Sequence, residues 1–331
     1  MLVGIGIFYC FYMKTASASA LSESKFKEKW QFMKTQVKAD LMLVLVTLCW
    51  GVSYYLMDIC LAEMETFNLN AFRFLGAFFI AAIIAFPKLK AVNKTTIKYS
   101  FLVAVSLVFV YMGATFGVMY TSLSNAGFLC ALTVVFTPIL AYFVKKEKPG
   151  KKMSIVVLIC LIGFALLTLN EQLKPAFGDI LCLMCAFAYA IDLLITETAV
   201  SKEEVNAFQL GVFQLGFTGL FMLILSLIFE EPCLPSSGVG WGSAIFLAVF
   251  CTGVAFIVQA IAQQYTTASH VGVIFTLEPV FSGIVAFVFA GEILLPRAYF
   301  GAVLLIVGLL VMEIDVKALF KKKDKDENIE T

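Results

Sequence analysis

The chain has 331 residues, of which 61% are hydrophobic and 14% charged, with a mean hydropathy of +0.94. Soluble domains carry roughly 25% charged residues, so this balance excludes an ordinary water-soluble fold and points to a lipid environment. A formal net charge of +1 gives no electrostatic case for nucleic acid or an acidic partner, and no nucleic-acid partner is expected.

The first 13 residues, MLVGIGIFYCFYM, fall short of the roughly 20 apolar residues that cross a bilayer. They also lack the basic start of a signal peptide. No function is assigned to them, and Met13 and Met33 read as alternative translation starts. Residues 1–38 read as a poorly ordered cytoplasmic segment.

From residue 41 onward, apolar stretches of spanning length recur at 41–61, 67–87, 99–119, 125–144, 153–169, 179–196, 207–229, 242–262, 271–290 and 298–314. Helices satisfy their own backbone hydrogen bonds, so the pattern predicts an all-α integral membrane protein with ten transmembrane helices in the lipid bilayer. Basic residues set the orientation. With both termini inside, 21 of the 24 Lys and Arg are cytoplasmic, the exceptions being Arg73, Lys174 and Arg297. The expected location is therefore the cytoplasmic membrane, multi-pass, with both ends inside. The tail 316–331, containing KALFKKKDKDE, reads as a solvated stop-transfer flank, with lipid or partner binding as the alternative. Cys182 and Cys185 have CxxC spacing, but they lie in LCLMCAFAYA with no basic neighbour and read as small buried hydrophobes.

The chain repeats itself. At a shift of 145 residues, Tyr120, Thr121 and Ser124 meet Tyr265, Thr266 and Ser269, Gly127 meets Gly272, and Leu132 meets Leu277. Phe136 meets Phe281, Glu147 meets Glu292, and Gly163 meets Gly308. Upstream, at a slightly shorter shift, Asp40 meets Asp179, Trp50 meets Tyr189 and Asp58 meets Glu197. The halves, 39–170 and 177–315, hold five spans each. Five is odd, so the second half enters the membrane the other way round, and inverted repeats of this kind are a transporter signature.

The stretch LCWGVSYYLMD, the pair Arg73-Phe74, and YTSLSNAGFLCALTVVFTP followed by Glu147 resemble the first domain of an EamA-type member of the drug/metabolite transporter superfamily. YTTASHVGVIFTLEPVFSGIVAFVFAGE with LIVGLL resembles the second. The resemblance covers about 40 to 315. It implies a ten-helix, inverted-repeat carrier of small metabolites, often an exporter of amino acids or related compounds, with spans 5 and 10 at the periphery. The first half departs from the pattern, carrying Thr133-Val134 where the second has Glu278-Pro279.

Charged groups inside a bilayer are costly and face protein or water. Glu278-Pro279 in span 9 marks a locally opened helix, because Pro279 cannot donate to the carbonyl of Phe275. Glu278 reads as a structural or gating group, with proton coupling and substrate contact as alternatives. Asp192 in span 6 reads as a snorkelling or loop-pairing acid, with coupling as the alternative. Asp58 and Arg73 read as an architectural ion pair, with anion binding by Arg73 as the alternative. His270, the single histidine, reads as a solvated loop residue. Trp50, Ser53, Tyr54, Tyr111, Tyr189, Gln259 and Gln263 supply the aromatic, hydroxyl and amide groups that suit a pocket for a small, partly apolar substrate. Gly113 and Gly117 form GxxxG, read as close packing within the chain, so a monomer or weak homodimer is expected.

No P-loop, HExxH or GxSxG pattern occurs. No enzyme activity, cofactor or metal is expected. The sequence reads as a secondary transporter that works by alternating access through a cavity lined by spans 1, 3, 4, 6, 8 and 9. A receptor or scaffold without transport, and a proton-independent facilitator or exchanger, are the alternatives.

Overall fold

Lipid offers no hydrogen bonds, so a chain this apolar satisfies its backbone internally. Accordingly every regular element among the described residues is a helix. The computed structural model describes residues 20–120, 129–146, 150–168, 177–289 and 296–313. The first 19 residues, the tail 316–331, and the repeat positions Thr121, Ser124, Gly127, Glu147 and Glu292 lie outside them. The chain divides into two units, Met1–Lys38 and Ala39–Thr331, the first helical from Ala20.

In chain order the helices are α1 (Ala20–Leu61), α2 (Thr66–Ile84), α3 (Lys94–Tyr120), α4 (Leu129–Lys145) and α5 (Lys151–Thr168). Then follow α6 (Phe177–Val200), α7 (Ala207–Phe229), α8 (Gly238–Ala262), α9 (Ala268–Phe289) and α10 (Pro296–Glu313). A single turn, Phe86–Leu89, lies between α2 and α3. Seven of these helices, α1 to α3 and α6 to α9, are long and apolar enough to cross a membrane. The apolar runs in α4 and α10, Leu129–Lys145 and Tyr299–Val311, are shorter within the described residues.

Several contacts join a helix to its own counterpart in the other half. α2 packs on α7, α4 on α9, and α5 on α10. Burial from lipid gives helices little hydrophobic drive to associate, so close van der Waals fit holds them together. Gly113 shows the fit at the junction of α3 with α6. A Cβ there would meet the Leu181 carbonyl oxygen at 2.5 Å and the Cys185 amide at 2.8 Å. Gly117 lies against the Cys182 sulfur in the same way. The GxxxG pattern and the two cysteines are thus the two sides of one intrachain contact. Gly163 and Gly308, matched in the repeat, both sit in the α5–α10 contact, where added Cβ atoms would meet the Gly301 oxygen at 3.0 Å and the Cys160 sulfur at 2.9 Å.

Carboxylates tie the loops at one end of the bundle. Glu230 accepts from the Phe67 and Asn68 amides at 2.8 and 2.7 Å, satisfying the first turn of α2. Glu63 accepts from the Ser236 amide at 2.7 Å and the Ser237 amide at 3.1 Å, just before α8. The Ser237 hydroxyl, with the amides of Ser237 and Ser236, holds the Glu63 carboxyl down to about 2. At the opposite end Gln209, at the start of α7, donates to the Lys88 carbonyl at 2.7 Å.

Candidate functional site

Two helices break at the same register. In α4 the Leu132 amide bonds the Leu129 carbonyl at 3.2 Å, and in α9 the Leu277 amide bonds the Ile274 carbonyl at 3.1 Å. Each is an i to i−3 bond that tightens the chain before a fresh segment begins, at Thr133 and at Glu278. Phe136 and Phe281 then bond back to Leu132 and Leu277 at 3.1 and 3.0 Å. In sequence Glu278-Pro279 sits mid-span, yet in the fold it opens a helical segment. There a proline loses no hydrogen bond and a carboxylate meets the positive end of the helix dipole.

α8 is irregular too. Leu247–Val254 winds as a π-helix. The wider turn presents the Cys251 carbonyl, which accepts from Trp50 Nε1 at 3.0 Å. It also presents the Thr252 hydroxyl, which accepts from Arg73 Nε at 2.8 Å. π segments of this kind recur at functional sites.

The breaks in α4 and α9 border a cavity of about 90 Å³. α1 lines it with Trp50, Ser53, Tyr54 and Met57, and α9 with Gly272, Phe275, Glu278, Pro279 and Ser282. α3 adds Val110, Tyr111, Ala114 and Thr115; α4 adds Cys130, Ala131 and Thr133; α6 adds Cys185 and Tyr189. Arg73 enters from α2 and Phe256 from α8. One wall is aromatic. Trp50 meets Phe275 edge-on at a centroid distance of 4.8 Å, and Tyr189 stacks on Phe275 at 5.9 Å. Tyr54 stands beside the Glu278 carboxyl.

Trp50, Ser53, Tyr54, Tyr111, Tyr189, Glu278 and Pro279 all line this cavity. Gln259 and Gln263 do not line the cavity. The Tyr189 hydroxyl donates to Gln259 Oε1 at 3.1 Å, Gln259 donates to Gln263 at 3.3 Å, and Gln263 donates to the Leu193 carbonyl at 3.1 Å. Both amides are spent on a buried tie between α8 and α6. Thr133, which takes the place of Glu278 in the first half, turns its hydroxyl to the carbonyls of Cys130 and Ala186.

Three expectations are corrected. The Asp58–Arg73 ion pair is not formed. Asp58 is exposed, whereas Arg73 is 1% exposed and reaches Met57 Sδ at 3.3 Å. Successive helix residues point about 100° apart, so the face that offers Met57 turns Asp58 away. Asp192 does not snorkel: it is 1% exposed and accepts from the Ser106 hydroxyl at 2.9 Å, between α6 and α3. His270 is no solvated loop residue. Thr267 caps α9 by accepting from the His270 amide at 3.3 Å, and the buried ring places Nε2 3.4 Å from Asp40 Oδ1.

A bundle of membrane-spanning helices that closes on a cavity between two related halves is the architecture of a multi-pass transporter. The model of the EamA-like transporter family matches residues 37–169 and 176–314, and the chain belongs to that family. An uncharacterized transporter of Archaeoglobus fulgidus is 30% identical over 285 residues, covering 84% of this chain and 86% of its own. The uncharacterized transporter YetK of Bacillus subtilis is 24% identical over 307 residues, covering 89% and 90%. One crystal structure superposes with a TM-score of 0.72 over 86% of this chain and 99% of its own, at 16% identity, a likeness of fold alone.

Proposed function

We propose that the protein is a secondary transporter that moves a small metabolite, an amino acid or related compound, out of the cell by alternating access. The position of the cavity carries this reading. It lies where α1, α3 and α4 meet α6, α8 and α9, and both interrupted helices enter it, at Thr133 and at Glu278. On this reading the chain crosses the membrane ten times as two inverted repeats, 39–170 and 177–315, with both termini cytoplasmic. The skew of Lys and Arg supports the orientation, and the matched pairs α2–α7, α4–α9 and α5–α10 support the symmetry.

The cavity lies toward the ends of α1 and α3 at Leu61 and Tyr120. The opposite end of the bundle is filled by Leu43, Val46, Leu193 and Ile274, none more than 2% exposed. Lys145 Nζ reaches Glu197 Oε1 at 2.5 Å there, tying α4 to α6, and the His270–Asp40 contact ties α9 to α1. In the proposed orientation that end is cytoplasmic, and these contacts form the inner gate of the transport cycle. Rocking of the halves breaks these ties and opens the cavity inward.

The test is Ser282→Cys, a cavity position, in a background without the native cysteines. A membrane-impermeant maleimide should label it from outside, and adding Glu197→Gln should shift labelling toward the cytoplasmic face. Labelling from neither face, or equally from both in every variant, contradicts alternating access.

A further inference from the structure

Arg73 carries a charge that the fold does not neutralise. Its side chain is 1% exposed, and its recorded donors go to the Thr252 hydroxyl and to the Met57 thioether, a weak acceptor. The Tyr111 ring lies 5.0 Å and the Phe74 ring 5.9 Å from the guanidinium carbon. Among the described residues no carboxylate pairs with it, and Nη2 has no hydrogen-bond partner. A guanidinium cannot shed its proton, and a buried charge without a countercharge is costly. This one faces the cavity.

Three hydroxyls of the wall are committed to backbone carbonyls. Ser53 donates to the Trp50 carbonyl at 2.7 Å, Thr133 to the Cys130 carbonyl at 2.9 Å, and Ser282 to the Pro279 carbonyl at 3.1 Å. Arg73 is thus held by Thr252 on one side while its outer edge stays available, in a fork geometry that matches a carboxylate.

We propose that Arg73 is the specificity-determining anchor of the cavity and that the solute must carry a carboxylate, which the guanidinium receives. The assignment rests on the transport reading above and sharpens it: neutral amides and decarboxylated amines of the same size are rejected. Glu278 lines the same cavity, so an ammonium group on the solute also finds an acceptor there.

The experiment uses the purified full chain in liposomes loaded with three probe sets: free amino acids, their carboxamides, and small monocarboxylic acids. Efflux is followed by mass spectrometry. At least one carboxylate-bearing probe should leave at least tenfold faster than its amide. Arg73→Lys should keep this order with a KM raised about tenfold, and Arg73→Gln should erase the acid-over-amide preference. A purely structural arginine would slow every probe alike and leave the ratio unchanged. Should Arg73→Gln fail to fold, the acid-to-amide ratio of the unaltered protein decides. Equal efflux of acids and amides overturns the anchor and leaves transport standing; no efflux of any probe overturns both.

Discussion

Trp50 and Tyr189, which occupy matching positions in the two halves, meet edge to face with ring centroids 5.9 Å apart and interplanar angle 65°. Each half brings its aromatic residue to the same seam, so the cavity wall is built across the repeat boundary. Trp50 also fixes the π turn of α8 through the Cys251 carbonyl. Trp50→Phe keeps a ring but removes that hydrogen bond, an effect of about 0.5–1.5 kcal/mol. A lower midpoint in thermal unfolding and a changed KM are expected. Unchanged values of both would remove Trp50 from the site.

Pro279 keeps α9 in two segments. Pro279→Ala returns an amide that can reach the Phe275 carbonyl and lets α9 run straight. A proline in the first turn of a helical segment costs little, so the variant should unfold at about the parent's midpoint. Turnover should fall at least tenfold if the break acts as a hinge. Full transport by a folded variant would show that the break only accommodates sequence.

Glu278 is the carboxyl that borders the solute space. Glu278→Gln separates proton coupling from proton-independent exchange. Under coupling, efflux driven by a pH gradient is lost while solute–solute exchange persists. Gradient-driven efflux at the parent rate would remove Glu278 from any coupling role.

The Glu63 tie has a defined pH window. Its carboxyl is lowered from the ordinary 4.5 to about 2 by the Ser237 hydroxyl and the Ser237 and Ser236 amides. The folded state therefore favours the charged form. The stabilisation is fully present above about 4.5 and is lost as pH falls toward 2. Glu63→Gln should lower the unfolding midpoint by a few degrees at pH 7 and weaken the fall in stability across that window. Identical midpoints for both proteins at pH 7 would show that the tie contributes nothing.

Much of the site is legible in the sequence because it follows from the repeat. Shifting the chain on itself aligns Trp50 with Tyr189 and Leu132 with Leu277, and the fold brings the first pair into contact and interrupts its helices at the second. Glu278-Pro279 is legible as a local opening because lipid tolerates neither residue in an unbroken, exposed helix. Other features depend on rotation about helix axes, which periodicity does not fix in a span that is apolar all round. Arg73 looked like a partner for Asp58, yet one residue of rotation gives it Met57 instead. Gln259 and Gln263 share a face, and that face turns to α6, away from the cavity. The π turn in LAVFCTGV has no sequence mark beyond Gly253 beside the small Ala248. His270 lay one residue outside the apolar run, and its burial depended on Thr267 starting α9 earlier.

The most direct measurement is untargeted metabolite profiling of medium and cytosol, from cells expressing this chain and from cells expressing Glu278→Gln or no insert. The expected result is a small carboxylate-bearing solute enriched in the medium and depleted in the cytosol only with the unaltered chain. Identical profiles in all three, with the protein shown to be folded in the membrane, would contradict export through this cavity.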